Sequence, residues 1–287
     1  MSKVISFQIP KSENTFIKYQ EDRGKCFYNN LHQHPQAQLT LIVEGRGQLL
    51  VGDYVGRFEP GDVFLLAESI PHVFRSDADY FREESELEIA GNTIFFDFKL
   101  IRMAFSEIVD FMDLVHLNEK ITGCFKISGI MREAVVSLVD GLGEFSSLTR
   151  LQHCIHILSL LDFNSDDLVT LTKIPLQRTM NERDGRRMDK VMRFILDNST
   201  RQISLEEVAA QAFMSKEAFC RFFKLRTRRT FTQYVQQLRI TEAKKLLLET
   251  DLSISQISFQ VGFQTLSHFN KSFKGLTEMT PKDWRKL

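Results

Sequence analysis

The sequence is short of several things, and each shortage removes a class of protein. Its four cysteines, Cys26, Cys124, Cys154 and Cys220, stand far apart without a Cys-x-x-Cys pair. They offer no framework for a disulfide-stapled secreted domain and fit isolated thiols in a reducing cytoplasm. No apolar run approaches the ~20 residues that span a bilayer. At the amino terminus Lys3, Lys11 and Glu13 interrupt any export signal. The chain is therefore expected to be soluble and cytoplasmic. A net charge is also missing, because 37 Lys and Arg balance 37 Asp and Glu. That balance hides a division. Residues 186–287 hold 19 basic and 10 acidic side chains, a net of +9, and the remainder carries −9. Only the carboxy-terminal part is expected to meet a polyanion.

What is present begins with a repeat. Within 287 residues, enough for two or three domains, one pattern occurs twice between Ile203 and Arg285. Ser215 aligns with Thr265, Phe219 with Phe269, Phe223 with Phe273, Thr227 with Thr277 and Tyr234 with Trp284, an offset of 50. Upstream, Ser204 aligns with Ser253, an offset of 49, so the second copy has one extra residue in its turn. Each copy reads as a capped helix, a short turn and a second capped helix. The first helices show Leu205, Val208, Ala209 and Ala212, and Ile254, Ile257 and Val261, at helical spacing.

The second helix of each pair has its apolar side committed to phenylalanines. Its other side shows Lys216, Glu217, Cys220, Arg221 and Lys224 in the first copy. In the second copy it shows Leu266, Ser267, His268, Asn270 and Lys271. Arg and Lys can donate to guanine O6 and N7, and Asn can pair with adenine, so these faces are candidates to read bases. The plain alternative is a solvated helix face. Two copies at fixed spacing in a basic segment favour reading. Lys282 and Arg285 lie off these helices and are expected to touch phosphate. Residues 232–249 form an expected connecting helix of ~27 Å at 1.5 Å per residue, against ~34 Å for one turn of DNA.

The phrases ITEAKKLLLETDLSISQISFQVGF (Ile240 to Phe263) and MTPKDWRK (Met279 to Lys286) resemble the AraC/XylS-type transcriptional regulators over about the last hundred residues. In that family glycine usually follows the threonine that ends each reading helix; here Arg228 and Glu278 stand there, which puts the local exit geometry in question. The amino-terminal phrases HQHPQAQLTLIVEGRG, EPGDVFLL and IPHVF resemble the cupin sensor domain of the same family. Residues 37–44 alternate, with Leu39, Leu41 and Val43 on one face and Gln38, Thr40 and Ile42 on the other, and glycine turns separate short strands.

In metal-binding cupins His-x-His is followed four residues on by Glu. His32 and His34 are in place here, but Gln38 holds the carboxylate position, with His72 as a third histidine. His32, His34, Gln38, Thr40 and His72 are the expected effector pocket, if Pro35 leaves the strand register intact. Three readings stay open for the histidines: a metal site, an organic-effector pocket, or hydrogen bonding across the barrel rim. Gln38 argues against a catalytic metal, so no cofactor and no enzymatic activity are expected. A metal-dependent cupin enzyme fused to a DNA-binding tail is the alternative, and a ligand-independent regulator is a second one.

From Leu100 the period becomes helical. Ile130, Ala134, Val135 and Leu138 fit one helix; Leu148, Leu151, Ile155 and Leu158 fit another, with Cys154, Ile157 and Leu161 as surplus apolar surface. The expected architecture is α+β. A cupin-like barrel occupies 1–98, a helical dimerisation segment 99–163 and a linker 164–187. An all-α DNA-binding domain follows over 188–287, with helix-turn-helix motifs at 204–226 and 253–275. The resemblance implies a promoter-binding regulator, more often an activator. Its implied partners are double-stranded DNA, a small-molecule effector, a second copy of the chain through the 148–161 helix, and RNA polymerase.

Overall fold

A computed structural model describes residues 15–172 and 181–287. Expectations that fall on 1–14 and 173–180, Pro175 of the linker among them, lie outside the described residues. The chain forms two compact units, the second beginning at Asn181.

The first unit is two antiparallel sheets with helices on one face. The strands are β1 (Ile17–Gly24), β2 (Ala37–Glu44), β3 (Gly47–Val51), β4 (Tyr54–Phe58), β5 (Val63–Leu66), β6 (His72–Ser76), β7 (Ile89–Phe96), β8 (Cys124–Ile127) and β9 (Leu168–Thr170). They pair in the orders β1-β7-β2-β5-β8-β9 and β4-β3-β6. Period-two alternation divides β2 between two cores. Leu39 and Leu41 join Val63, Leu65, Ile94 and Phe96 in one cluster. Ile42 joins Phe64, Leu49, Phe58 and Phe74 in the other, between the sheets. Val43 leaves the expected apolar face and is exposed, because the β2–β7 register shifts between Ile42 and Glu44.

The helices are α1 (Phe98–Phe105), α2 (Met112–Lys120), α3 (Gly129–Val139) and α4 (Ser147–Ser159). The segment expected to be purely helical also supplies β8, and the expected linker supplies β9. The alternating run Cys124-Phe125-Lys126-Ile127 pairs with β5 and closes an edge that would otherwise bare its hydrogen-bonding groups. On α3 the buried face is Met131, Val135 and Val139, while Ile130 is exposed. On α4 the core takes Cys154, Ile157 and Leu158, and Leu161 just beyond it, so most of the surplus expected for a partner is consumed inside the unit. Leu148 remains 76% and Ile155 38% exposed.

The second unit is α5 (Glu182–Asn198), α6 (Leu205–Gln211), α7 (Lys216–Thr227), α8 (Phe231–Glu249), α9 (Ile254–Gln260), α10 (Leu266–Thr277) and α11 (Pro281–Trp284). The charged run from Asn181 is the start of α5 rather than linker. The Asn181 side chain accepts from the Asp184 N–H, Glu182 and Asp184 sit in the positive first turn, and Arg226 pairs with Asp184 at 2.5 Å. Ser204, Ser215, Ser253 and Thr265 each cap the helix that follows. Phe219, Phe223, Phe269 and Phe273 are fully buried. Each such side chain contributes roughly 1.5–3 kcal/mol relative to exposure.

Candidate nucleic-acid interface and barrel cavity

The two helix-turn-helix copies share their turn hydrogen bonds. In the first, Phe213 N–H donates to the Ala210 carbonyl (3.0 Å) and Met214 N–H to that of Ala209 (3.1 Å). In the second, Gly262 N–H donates to Phe259 (3.0 Å) and Phe263 N–H to Ser258 (3.0 Å), at the same offset. The extra residue is therefore Gln264, placed after a turn whose bonding is unchanged. It is held by a 3.1 Å bond from its amide nitrogen to Gln202 Oε1.

The helix ends match as well. Arg228 (φ 56) and Glu278 (φ 62) are both left-handed, and their N–H groups donate to Lys224 and Lys274 at 2.9 Å. The exit geometry that glycine would favour is kept without glycine. Each threonine hydroxyl before it bonds two carbonyls: Thr227 to Phe223 and Arg229, Thr277 to Phe273 and Met279.

The structure places the ten expected base-reading residues on the exposed sides of α7 and α10. They are not equally free. Lys216 Nζ pairs with Glu206 Oε1 of α6 at 2.6 Å, and that contact raises the lysine pKa. The Glu217 carboxyl is held down by its own backbone N–H and by Ser215 at the helix start. Cys220, Arg221 and Lys224 project one to two turns further on. On α10, His268 is anchored: the Gln236 side-chain nitrogen lies 3.0 Å from its Nε2, and its ring meets the Phe263 ring edge at 5.3 Å. Asn270 and Lys271 remain exposed, and with Leu266, Lys274, Thr280 and Lys282 they line an open groove of ≈ 710 Å³. Lys274 and Thr280 were not singled out from the sequence, although a basic residue one turn after Lys271 was a visible signal. Arg285 departs from its expected phosphate role: its guanidinium is turned inward onto the Leu252 carbonyl.

In the first unit, all five expected pocket residues come together. His32 and His72 pair through their backbones, His32 N–H to His72 O at 3.0 Å and His72 N–H to His32 O at 2.9 Å. Thus Pro35 does interrupt the strand: β2 starts at Ala37, and His32 is carried by its pairing with β6 instead. His34 Nε2 and Gln38 Oε1 stand 2.9 Å apart, the Gln38 amide donates to Thr40 Oγ1 at 2.7 Å, and the Thr40 and Thr93 hydroxyls are 3.1 Å apart. Burial lowers the pKa of all three histidines, that of His32 to about 4, so the rings are neutral. His32, Gln38 and Thr40 line a cavity of ≈ 320 Å³ with Gln20, Asp22, Cys26, Tyr28 and Thr93 over a floor of Phe27, Phe74 and Phe95. Thr93 escaped sequence reading because it reaches the pocket by pairing with Thr40 across β2 and β7.

A barrel with a partly open cavity of mixed lining, and in the same chain a helical unit carrying two helix-turn-helix motifs, make up a ligand-binding and DNA-binding architecture. Residues 19–83 match the family described as AraC-like ligand binding domain, and residues 208–287 match a helix-turn-helix domain. The chain thus combines a region similar to the AraC-like ligand binding domain with a helix-turn-helix region. It is 31% identical over 101 residues to the uncharacterized HTH-type transcriptional regulator YdeC of Bacillus subtilis, a stretch covering 35% of each chain. The HTH-type transcriptional activator RhaR of Salmonella schwarzengrund is 34% identical over 100 residues, 35% of this chain and 36% of that one, so these matches span about a third of the relatives. RhaR of Enterobacter sp. is 24% identical over 260 residues, covering 88% and 86%. Among solved structures, ToxT of Vibrio cholerae is 14% identical over 94% of this chain and 97% of its own, with a TM-score of 0.38. Among the described residues, no helix is long and apolar enough to cross a membrane.

Proposed function

We propose that the chain is a cytoplasmic, sequence-specific DNA-binding activator of transcription that acts by binding rather than catalysis. The observation that carries this reading is the doubled motif: two capped reading helices, α7 and α10, with equivalent turns and exposed polar faces, joined through α8. The 19 residues of α8 span ~28 Å at 1.5 Å per residue. That suits reading helices held in successive major grooves on one face of DNA. The +9 charge of residues 186–287 supplies attraction to phosphate. A small molecule in the cavity of the first unit regulates occupancy, which requires that it bind the DNA-competent and incompetent states with different affinity. RNA polymerase is the proposed downstream partner.

The test is binding of the full chain to genomic fragments and to random duplex at two salt concentrations. Selected fragments held well above random DNA at the higher salt support the reading. Equal binding, falling in parallel with salt, overturns it, because that is the signature of phosphate contact alone.

The protein is further proposed to dimerise through the Leu148–Ile155 face of α4, the apolar surface that helix leaves exposed. Sedimentation of Ile155→Asp at micromolar concentration is expected to show a monomer where the parent shows a dimer. A monomeric parent sinks this part of the proposal.

A further inference from the structure

We propose that the ligand of the barrel cavity is a small primary amine, its ammonium group held by Asp22 and its apolar body laid against Phe27, Phe74 and Phe95. This assignment rests on the cavity being the regulatory site proposed above, and three features of its wall favour a cation.

The first is a charge without a counter-charge. Asp22 and Gln20 share one face of β1 and both line the cavity. Among the described residues, the one hydrogen-bond partner of Asp22 is Gln20, whose Nε2 donates to Asp22 Oδ1 at 2.7 Å, and no salt bridge reaches it. Arg23 also lines the cavity, but its side chain is 76% exposed and its Nε lies 3.7 Å from Glu21 Oε2. Burial raises the pKa of Asp22, the direction of an acid that loses water without gaining a cation. An ammonium beside it reverses that direction and supplies the missing charge.

The second is an excess of acceptors. In the β1–β7 register Gln20 stands opposite Thr93, and Asp22 follows two residues on along the same face. Gln20 Nε2 points at the carboxylate, which only accepts, so Gln20 Oε1 is left as a further acceptor. Donors beside it are already engaged. The Gln38 amide donates to Thr40 Oγ1 at 2.7 Å, and one proton lies between the Thr40 and Thr93 hydroxyls, 3.1 Å apart. A primary ammonium has only donors to offer, so it matches Asp22, Gln20 Oε1 and the Thr93 oxygen. A polyol, whose hydroxyls must also accept, matches them less well.

The third is an aromatic surface beside the charge. Gly91 stands opposite Asp22 in the register, and a Cβ there would lie 3.0 Å from Phe27 Cε1. The missing side chain lets the Phe27 ring settle over the strand next to the carboxylate. The Phe74 ring lies 6.3 Å from that of Phe27, centroid to centroid, and Phe95 lines the same cavity. Such faces take up the methylene or aryl body of an amine and attract its cation through their π electrons. A cavity of ≈ 320 Å³ suits a small ligand. Asp22 is the one carboxylate among its described lining residues, so a diamine would leave its second ammonium unmatched.

The experiment titrates the full-length chain by calorimetry at neutral pH, without DNA. The probes are 2-phenylethylamine, its neutral isostere 2-phenylethanol and the polyol xylitol. Saturable binding of about one amine per chain is expected, about tenfold or more tighter than the alcohol, with no uptake of xylitol at the same concentrations. Asp22→Asn keeps the side-chain shape and should weaken the amine by about tenfold while leaving the alcohol unchanged, so the preference disappears. Comparing amine with alcohol on the parent chain keeps the test decisive if Asp22→Asn does not fold. Equal binding of amine and alcohol, tighter binding of xylitol, or no saturable binding of the amine overturns the proposal. So does an undiminished preference for the amine in a folded Asp22→Asn, which would place the ammonium elsewhere. DNA binding on the same preparation separates this proposal from the regulator reading. Amine uptake that leaves DNA affinity unaltered supports the ligand class and defeats its regulatory role, whereas selective DNA binding without amine uptake keeps the regulator and defeats the amine.

Discussion

The two helix-turn-helix copies keep one backbone and differ in what their side chains must satisfy. Phe213 and Gly262 occupy equivalent turn positions with φ of 55 and 98. At Phe213 the side chain points to solvent, 76% exposed, with Lys190 Nζ 5.1 Å from its ring centroid. At Gly262 a Cβ would lie 2.7 Å from the Ser199 carbonyl oxygen and 2.9 Å from Arg239 Nε. The turn itself therefore does not demand glycine. The close packing behind the second turn does. The same lesson holds at the helix ends, where Arg228 and Glu278 adopt the left-handed conformation in open surroundings and a paired threonine hydroxyl secures the exit.

The contrast can be broken at three points. The largest effect is expected at the second turn. Gly262→Ala meets backbone at both strained φ and short distance and should lose about 2–4 kcal/mol. Phe213→Gly should be neutral or slightly stabilising. Urea unfolding of the two variants measures the pair, and a similar loss at both positions would show that the turn, not its packing, selects the residue. Next comes the division of reading between the helices. Arg221 has a planar fork suited to guanine, whereas Lys271 has a single ammonium. Arg221→Ala is expected to lose ~1–3 kcal/mol on a preferred site and to relax one base position. Lys271→Ala should relax specificity less. Binding across single-base operator variants reads both, and the opposite ranking would reverse the assignment. The smallest effect belongs to the helix ends, where Arg228→Gly and Glu278→Gly should each stabilise by roughly 0.5–1 kcal/mol by relieving left-handed strain. A loss in thermal melts would mean that those side chains make contacts worth more than the strain.

Local signals carried most of the carboxy-terminal unit. Cap residues such as Ser204 and Thr265, the phenylalanine spacing and the repeat are all short-range, and short-range patterns survive in one dimension. The barrel was less legible because its pieces meet across long separations. Cys124–Ile127 is four residues of ambiguous period between helices, and only the open edge of β5 makes it a strand. Leu158 and Ile155 are both apolar residues of one helix, and the cluster that buries Leu158 draws on strand residues as far back in the sequence as Ala37 and Leu39. The pocket histidines were found by spacing. Their tautomers, and the role of Thr93 beside them, depend on backbone carbonyls that no motif records.

Arg239 on α8 donates to the carbonyls of Ser199 at 2.8 Å and Arg201 at 2.6 Å, and its guanidinium also lies 5.8 Å from the Phe263 ring centroid. One side chain thus fastens the loop leading into the first motif to the turn of the second. The spacing between the two reading heads is consequently set by a cross-brace as well as by a rod. A chain divided after α8 would leave its carboxy-terminal half without the brace, so the heads are expected to behave as a single calliper of fixed gauge rather than as two modules on a tether.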